Sequence, residues 1–112
     1  MAGFYKLDSA TIDQTVTTKS PGVYALDRTI TPGFTVNYVG RADDDVAKRL
    51  KKWASEGYYK YFQFEYHSTV KAAFDRECQL YHLYPKLDNL IHPARPENTN
   101  YPCPVVGCRA LR

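Results

Sequence analysis

Glu77 is the residue whose type and position most strongly suggest chemistry. It lies in the middle of the apolar face of a predicted helix, among Val70, Phe74 and Leu80. A carboxylate in such a place is costly unless it is paired with a cationic side chain or bound to a cation. The helical periodicity therefore leaves two interpretations open, a structural ion pair with a nearby Arg or Lys and a functional site.

Two further groups of charged residues have ready structural explanations. Arg49 lies at the edge of the apolar stripe of another predicted helix, next to Trp53, and the pattern alone favours a surface arginine whose stem covers apolar side chains. The acidic run 43–45 could be imagined as a metal cluster. Acidic residues at a helix start are expected for capping and for the helix dipole, so this run is interpreted as a cap.

The cysteines and histidines form no complete metal motif. Cys103 and Cys108 have a C-x4-C spacing that lacks the second ligand pair of a structural zinc site, although His92 could be recruited. His67 and His82 have no spacing that suggests catalysis, and both are expected at the surface. The odd total of three cysteines argues against a disulfide scaffold and favours a reducing compartment, so a cytoplasmic protein is expected.

Three strands are predicted to position these residues. The first two, Gly22–Arg28 and Phe34–Arg41, are separated by a Pro-Gly turn and lie close enough in sequence to pair as a hairpin. Gly40 is expected at a close approach or a bulge. Strict alternation over Tyr59–His67 predicts the third strand.

Two helices complete the predicted fold. The first follows the acidic run 43–45 and continues through Ser55, ending at Gly57. The second is capped by Ser68 or Thr69 and runs to about Tyr84, where a proline stops it. The sequence therefore predicts the α/β (α+β) class, with a small three-stranded, mostly antiparallel sheet flanked by helices in the order ββαβα.

Length and composition limit the kinds of protein that this can be. The 112 residues suit a single domain over 1–112, and 44% hydrophobic with 24% charged residues is typical of a globular protein. No apolar run has the length of a membrane span and the first residues contain no hydrophobic signal core, so no membrane partner is expected. A net charge of +3 leans only weakly toward anionic partners.

Two tripeptides, GVY at 22–24 and YVG at 38–40, together resemble the paired signature of the GIY-YIG nuclease superfamily. Arg49 lies on the next helix, where the catalytic arginine of that family is expected. Glu77 corresponds to the metal-binding glutamate of a later helix, and Asn89 to an asparagine that usually follows it. The predicted element order also agrees with the small mixed fold of the family.

The resemblance implies a metal-dependent endonuclease that hydrolyses DNA phosphodiester bonds by in-line attack of water. Glu77 would hold one Mg²⁺ (or Mn²⁺) ion together with water and phosphate oxygens. Arg49 would bind the scissile phosphate and stabilise the charge of the transition state. Tyr24 and Tyr38 would bring their hydroxyls to the site, with Tyr24 favoured as the base. Asn89 would tether the tail to the site.

The resemblance covers about 22–96 and leaves an irregular tail at 97–112. Trp53 departs from the family pattern, in which many relatives carry a His or a Tyr that can join the proton relay. DNA would be held through phosphate contacts from basic residues near the site, which are Arg41, Lys48, Lys51, Lys52 and Lys60.

Two other functions stay open at this point. The chain could be a non-catalytic nucleic-acid-binding module that keeps the GIY-YIG fold, or a small interaction protein with an ion pair between Glu77 and Arg49. A targeting partner or an oligomer is also compatible with the sequence.

Overall fold

The computed structural model describes residues 1, 3–29 and 32–111. These residues form four strands and three helices, which are β1 (Tyr5–Lys6), α1 (Ser9–Thr15), β2 (Gly22–Asp27), β3 (Tyr38–Ala42), α2 (Val46–Glu56), β4 (Tyr61–Tyr66) and α3 (Val70–Leu83). The strands make one antiparallel sheet in the order β1-β4-β2-β3. The fold is therefore of the α+β class, as the sequence predicts.

The sheet has one strand more than the sequence predicts. Strand β1 pairs Tyr5 with Phe62 and Lys6 with Tyr61 at the edge next to β4. A strand of two residues, both exposed, shows no alternation of apolar and polar side chains, so periodicity cannot reveal it. Helix α1 was missed for a related reason, since Ile12 is its one buried residue. The remaining elements follow the predicted order ββαβα.

Strand β2 is the centre of the molecule. It lies between β3 and β4, and all six of its residues are buried. Its alternate side chains enter two cores: Tyr24 and Leu26 face the side of α1 and α2, while Val23 and Ala25 face the side of α3. Because helices cover both faces of this strand, its residues from Val23 to Leu26 do not alternate between apolar and polar side chains.

The ends of the two long helices are fixed by residues that the sequence already identified. Asp45 caps α2 by accepting a hydrogen bond from the Lys48 amide at 3.2 Å, and Gly57 ends the helix in the left-handed region at φ +74°. Thr69 caps α3 in the same way through the Ala72 amide at 3.0 Å. The capping interpretation of the acidic run is thus confirmed for Asp45.

The tail from residue 84 to residue 111 contains no helix or strand. Asp88 fixes its first part, because its carboxylate accepts two hydrogen bonds from Arg28 and one from the Tyr59 hydroxyl. The following segment then passes along the outer edge of β3. None of the helices in the described part of the chain is long and apolar enough to cross a membrane.

Candidate active site

Two glycines permit close approaches around strand β2, and one of them makes room for the ring of Tyr24. Tyr24 pairs with Gly40 across β2 and β3, and a Cβ atom at position 40 would lie 2.4 Å from the phenol oxygen of Tyr24. A Cβ atom at Gly22 would lie 2.5 Å from the Glu65 carbonyl oxygen on β4. Any side chain at either position would collide with buried neighbours, so the close approach predicted for Gly40 is confirmed.

The tyrosine ring borders a cavity of about 270 Å³ that lies between the sheet, the two long helices and the tail. All of the residues that the sequence analysis proposed as catalytic line this cavity, and they are Tyr24, Tyr38, Arg49, Glu77 and Asn89. Gly40, Arg41 and the segment 90–94 complete the wall. The residues come from β2, β3, α2, α3 and the tail, so tertiary folding is what brings them together.

Trp53 holds the hydroxyl group of Tyr24. The indole Nε1 donates a hydrogen bond to the Tyr24 oxygen at 2.8 Å. Because an indole can only donate, the Tyr24 oxygen is the acceptor and its own proton is directed elsewhere. Burial raises the pKa of Tyr24 above its usual value, and the Trp53 hydrogen bond acts in the opposite direction. Sequence reasoning had assigned Trp53 no part in the site, although it lies one helical turn after Arg49.

Tyr38 lies beside this pair and is half-buried. Its ring centroid is 4.8 Å from that of Trp53 and 5.9 Å from that of Tyr59. Burial raises the pKa of Tyr38, and the nearby Glu77 carboxylate raises it further. Both tyrosine hydroxyls therefore stay protonated at neutral pH unless a bound cation or a hydrogen-bond donor stabilises the phenolate.

Glu77 is paired with an arginine, but with Arg41 rather than Arg49. Arg41 Nη1 donates to Glu77 Oε1 at 2.8 Å and to the Ala94 carbonyl at 2.8 Å, while its Nε donates to Asp43 at 2.6 Å. The Arg41 side chain is only 10% exposed, so its guanidinium is committed to these acceptors. The interpretation of Glu77 as a member of an ion pair is therefore confirmed, but the alternative that named Arg49 as its partner is wrong, because the partner is Arg41.

The pKa of Glu77 is raised to about 7. Burial is the largest cause, and it outweighs the attraction of Arg41. Asp43 raises the pKa further and Arg49 opposes it. A carboxylate held in this way can change its charge near neutral pH, which is unusual for a glutamate.

Arg49 differs from Arg41 in having no carboxylate partner. Its side chain is exposed, and no salt bridge joins it to any residue in the described ranges 1, 3–29 and 32–111. It nevertheless lines the cavity and interacts electrostatically with Tyr24 and Glu77. Its guanidinium is therefore available for an anionic ligand.

Asn89 uses its side chain to extend the sheet. Its Oδ1 accepts a hydrogen bond from the Val39 amide at 3.0 Å, and its Nδ2 donates to the Val39 carbonyl at 2.8 Å. The amide thus imitates one residue of a neighbouring strand at the edge of β3. This contact fixes the start of the segment 90–94 as a wall of the cavity, and it matches the tethering role expected from the sequence.

The structure divides the basic residues that were expected to contact DNA. Lys48 and Lys52 line a depression of about 450 Å³ that adjoins the cavity and shares Arg41 and Arg49 with it. Lys51 instead pairs with Asp13 on α1. Lys60 donates to the Gly57 carbonyl at 2.8 Å, in a region beside β1. Of these four lysines, Lys48 and Lys52 are therefore the two that lie next to the cavity.

A second group of side chains lies at the end of α3 and in the tail. It consists of His82, His92, Cys103 and Cys108, whose possible ligand atoms all lie within 4.8 Å of one another. His92 also lines the cavity. Sequence reasoning considered His92 with the two cysteines but placed His82 at the surface, because nothing in the sequence shows that the tail folds back onto the end of the helix.

No family model, curated protein or solved structure matches this chain. The cavity combines two tyrosine hydroxyls, one carboxylate and one unpaired arginine. Such a set can bind a phosphate and transfer protons to and from it.

Proposed function

We propose that this protein is a metal-dependent endonuclease of the GIY-YIG type that hydrolyses DNA phosphodiester bonds. The observation that carries the proposal is that Tyr24, Tyr38, Arg49 and Glu77 line one cavity although they belong to four separate elements. The order ββαβα from β2 to α3 is the order that the family resemblance implies.

Arg49 binds the scissile phosphate in this proposal. Its guanidinium has no salt-bridged carboxylate among the described residues and lies where the cavity adjoins the depression that Lys48 and Lys52 line together with the acidic run 43–45. Charge-assisted hydrogen bonds to phosphate oxygens strengthen as negative charge builds up in the transition state. Arg49 therefore lowers the barrier as well as positioning the substrate.

Tyr24 orients the attacking water and accepts its proton. The Trp53 indole fixes the phenol oxygen and stabilises the phenolate, while Gly40 leaves room for the ring. Because burial raises the pKa of Tyr24, the phenolate also needs positive charge nearby. Arg49 supplies part of that charge, since it lowers the pKa of Tyr24.

The donor atoms around the cavity suit a hard cation. Glu77 offers a carboxylate in the wall, and Mg²⁺ is commonly held by one or two carboxylates with water and phosphate oxygens as its other ligands. Such an ion would polarise the phosphate and acidify a bound water. Arg41 keeps the Glu77 carboxylate fixed through its contact with Oε1. Asn89 holds the opposite wall in position.

The Arg41–Glu77 pair also favours a second candidate function. A guanidinium at 2.8 Å neutralises the carboxylate that a metal ion would need. A protein that keeps this pair intact on DNA would be a binding module without turnover.

Incubation with supercoiled plasmid separates the two candidates. With Mg²⁺ or Mn²⁺ we expect nicked or linear product, and none when a chelator is present or the ion is withheld. A shift of the plasmid to slower migration in a gel-shift assay, with no nicked or linear DNA formed when metal is added, would contradict the proposed hydrolysis and support the binding module.

A further inference from the structure

The cluster at the end of α3 has the dimensions of a tetrahedral metal site. His82 Nε2 lies 3.3 Å from His92 Nε2, Cys103 Sγ lies 3.6 Å from His82 Nε2, and Cys108 Sγ lies 3.4 Å from His92 Nε2. Around a tetrahedral Zn²⁺ ion with usual bond lengths, two nitrogens are about 3.3 Å apart, and a nitrogen and a sulfur about 3.6 Å. Three of the six distances between the ligand atoms therefore match a tetrahedral zinc site, and all six are within 4.8 Å.

We propose that His82, His92, Cys103 and Cys108 bind one Zn²⁺ ion through the two Nε2 atoms and the two Sγ atoms. This Cys₂His₂ set fills all four positions of zinc, which is the mark of a structural rather than a catalytic site. Binding requires both cysteines as thiolates, so two protons pass to solvent when the ion enters. The site is separate from Glu77 and goes beyond the proposed nuclease function.

The orientation of His92 supports ligation through Nε2. Its Nδ1 lies 2.9 Å from the Pro93 carbonyl oxygen, which can only accept, so Nδ1 carries the proton. The Nε2 lone pair is then left to face the other three side chains. Hydrogen bonding of the second ring nitrogen to a carbonyl is the usual partner arrangement of a zinc-bound histidine.

The chain between the two cysteines is shaped to bring both sulfurs to one side. The Cys108 amide donates to the Val105 carbonyl at 3.1 Å, which closes a turn, and Gly107 takes φ +87° in the left-handed region. A residue with a Cβ atom would be strained at that angle. The C-x4-C spacing is therefore folded as a compact turn rather than extended.

The type of donor atom selects the metal. Two thiolates and two imidazoles in a tetrahedron suit zinc, whereas Mg²⁺ prefers oxygen ligands in an octahedron. Cys78 lies outside the cluster and packs in the core with Phe74 and Cys103. Of the three cysteines and three histidines, four therefore belong to the cluster, and Cys78 and His67 lie outside it.

A zinc ion here would hold together a long segment that contains neither helix nor strand. The tail exceeds the roughly 12–15 residues beyond which a connection without helix or strand is uncommon. The ion would join the end of α3, through His82, to three points in the tail, His92, Cys103 and Cys108. Because His92 also lines the cavity and Ala94 accepts from Arg41, the same ion would hold the tail wall of the cavity in place.

Metal analysis of the full chain, purified with zinc in the growth medium, tests the proposal directly. We expect one zinc per chain by plasma mass spectrometry. Stepwise modification of the cysteines with a mercurial reagent should release the zinc. Cobalt added to the stripped protein should give the strong visible absorption of tetrahedral Co²⁺ with thiolate ligands. Chains that hold no zinc and give only the weak spectrum of hydrated cobalt would overturn the site.

Variants of the exposed ligand His82 separate ligation from a purely structural contact. H82A should lower zinc affinity by at least about 100-fold, because loss of an outer partner alone costs 10- to 100-fold. H82C should keep one zinc and move the cobalt spectrum toward three thiolates. H67A, at the histidine outside the cluster, should retain wild-type affinity. Equal zinc binding by H82A and the wild type would contradict the proposal, as would failure of H82C to hold metal.

Discussion

The cavity around Tyr24 and the cluster around His92 lie next to each other but differ in their donor atoms and in how their polar groups are paired. The cavity presents oxygen donors and an arginine without a carboxylate partner among the described residues, and its charges are left partly unmatched. The cluster presents two nitrogens and two sulfurs that all lie within 4.8 Å of one another. Polar groups without a partner can bind and stabilise a reacting substrate. Four protein ligands around one ion are typical of a structural metal site.

If both proposals hold, the chain would bind metal in two different ways. An ion at Glu77 would exchange readily, since water and substrate supply most of its ligands. An ion at the cluster would be retained through dialysis, because the protein supplies all four ligands. Residues of the two regions should therefore respond differently to substitution, to pH and to salt.

Tyr24→Phe is expected to have the largest effect of the substitutions in the cavity. The change removes one hydroxyl, and loss of a general acid–base group costs about 10²- to 10⁴-fold in rate. Plasmid nicking rates at saturating Mg²⁺ measure the loss, and zinc content should not change. Tyr58→Phe is the matched control, since that tyrosine is 60% exposed and lies outside the cavity. Normal nicking by the Tyr24 variant would mean that Tyr38 or a metal-bound hydroxide is the base.

The raised pKa of Glu77 predicts that stability depends on pH. In the folded protein this carboxyl stays protonated up to about pH 7, whereas the unfolded chain releases the proton near pH 4.3. The stabilisation is therefore complete below pH 4.3 and is lost as the pH rises through 7. Between pH 5 and pH 8 the wild type should lose on the order of 2 kcal/mol relative to Glu77→Gln.

Urea unfolding of both proteins at several pH values, without Mg²⁺, measures this difference. The charged groups facing Glu77 are Arg41, Asp43 and Arg49. Parallel stability curves for the two proteins would show that Arg41 keeps the carboxylate ionised throughout.

Trp53→Phe tests the contact that sequence reasoning missed. The change keeps an aromatic ring against Tyr38 but removes the hydrogen bond to the Tyr24 oxygen. A hydrogen bond of this kind contributes about 0.5–1.5 kcal/mol, so nicking should slow by roughly 2- to 10-fold. Trp53→His retains a ring N–H donor and should slow the reaction less. An equal loss in both variants would assign Trp53 to packing alone.

The basic residues are expected to have the smallest and most salt-dependent effect. Changing Lys48 and Lys52 together to alanine should reduce the slope of log affinity against log salt by up to about two. The matched pair Lys51 and Lys60 should change it less, since both lie away from the cavity. Titrations on two unrelated duplexes with Ca²⁺ in place of Mg²⁺ should give dissociation constants of about 10⁻⁴ to 10⁻⁶ M. Tight, salt-insensitive binding to one duplex alone would point to sequence-specific recognition instead.

The elements that could be predicted from the sequence are those with a long hydrophobic periodicity or with capping residues at their ends. Strands β2 to β4 and helices α2 and α3 have clear periodicity, with Asp45, Gly57 and Thr69 at their ends. Strand β1 is too short to show a pattern, and its pairing with β4 is decided by tertiary structure. The site residues were predicted from two tripeptides and the positions that follow them, and the structure places them at one cavity.

The partners within the site could not be predicted in the same way. Trp53 donates to Tyr24 across 29 residues, and Arg41 reaches Glu77 across 36. Local periodicity carries no information at such distances, so the wrong arginine was considered as the partner of Glu77. His82 joins the cluster only because the tail turns back over α3. No periodicity in the sequence of the tail predicts that turn.

The proposal that Glu77 holds the catalytic Mg²⁺ ion is tested by the dependence of plasmid nicking on Mg²⁺ in the wild type and in Glu77→Gln. Mg²⁺ is withheld by dialysis rather than by chelation, so that zinc in the cluster is not stripped, and zinc content is measured alongside. We expect wild-type nicking to rise with Mg²⁺ to saturation, while the variant keeps its fold and its zinc but shows no metal-dependent nicking. Mg²⁺-dependent nicking by Glu77→Gln at the wild-type rate would contradict it.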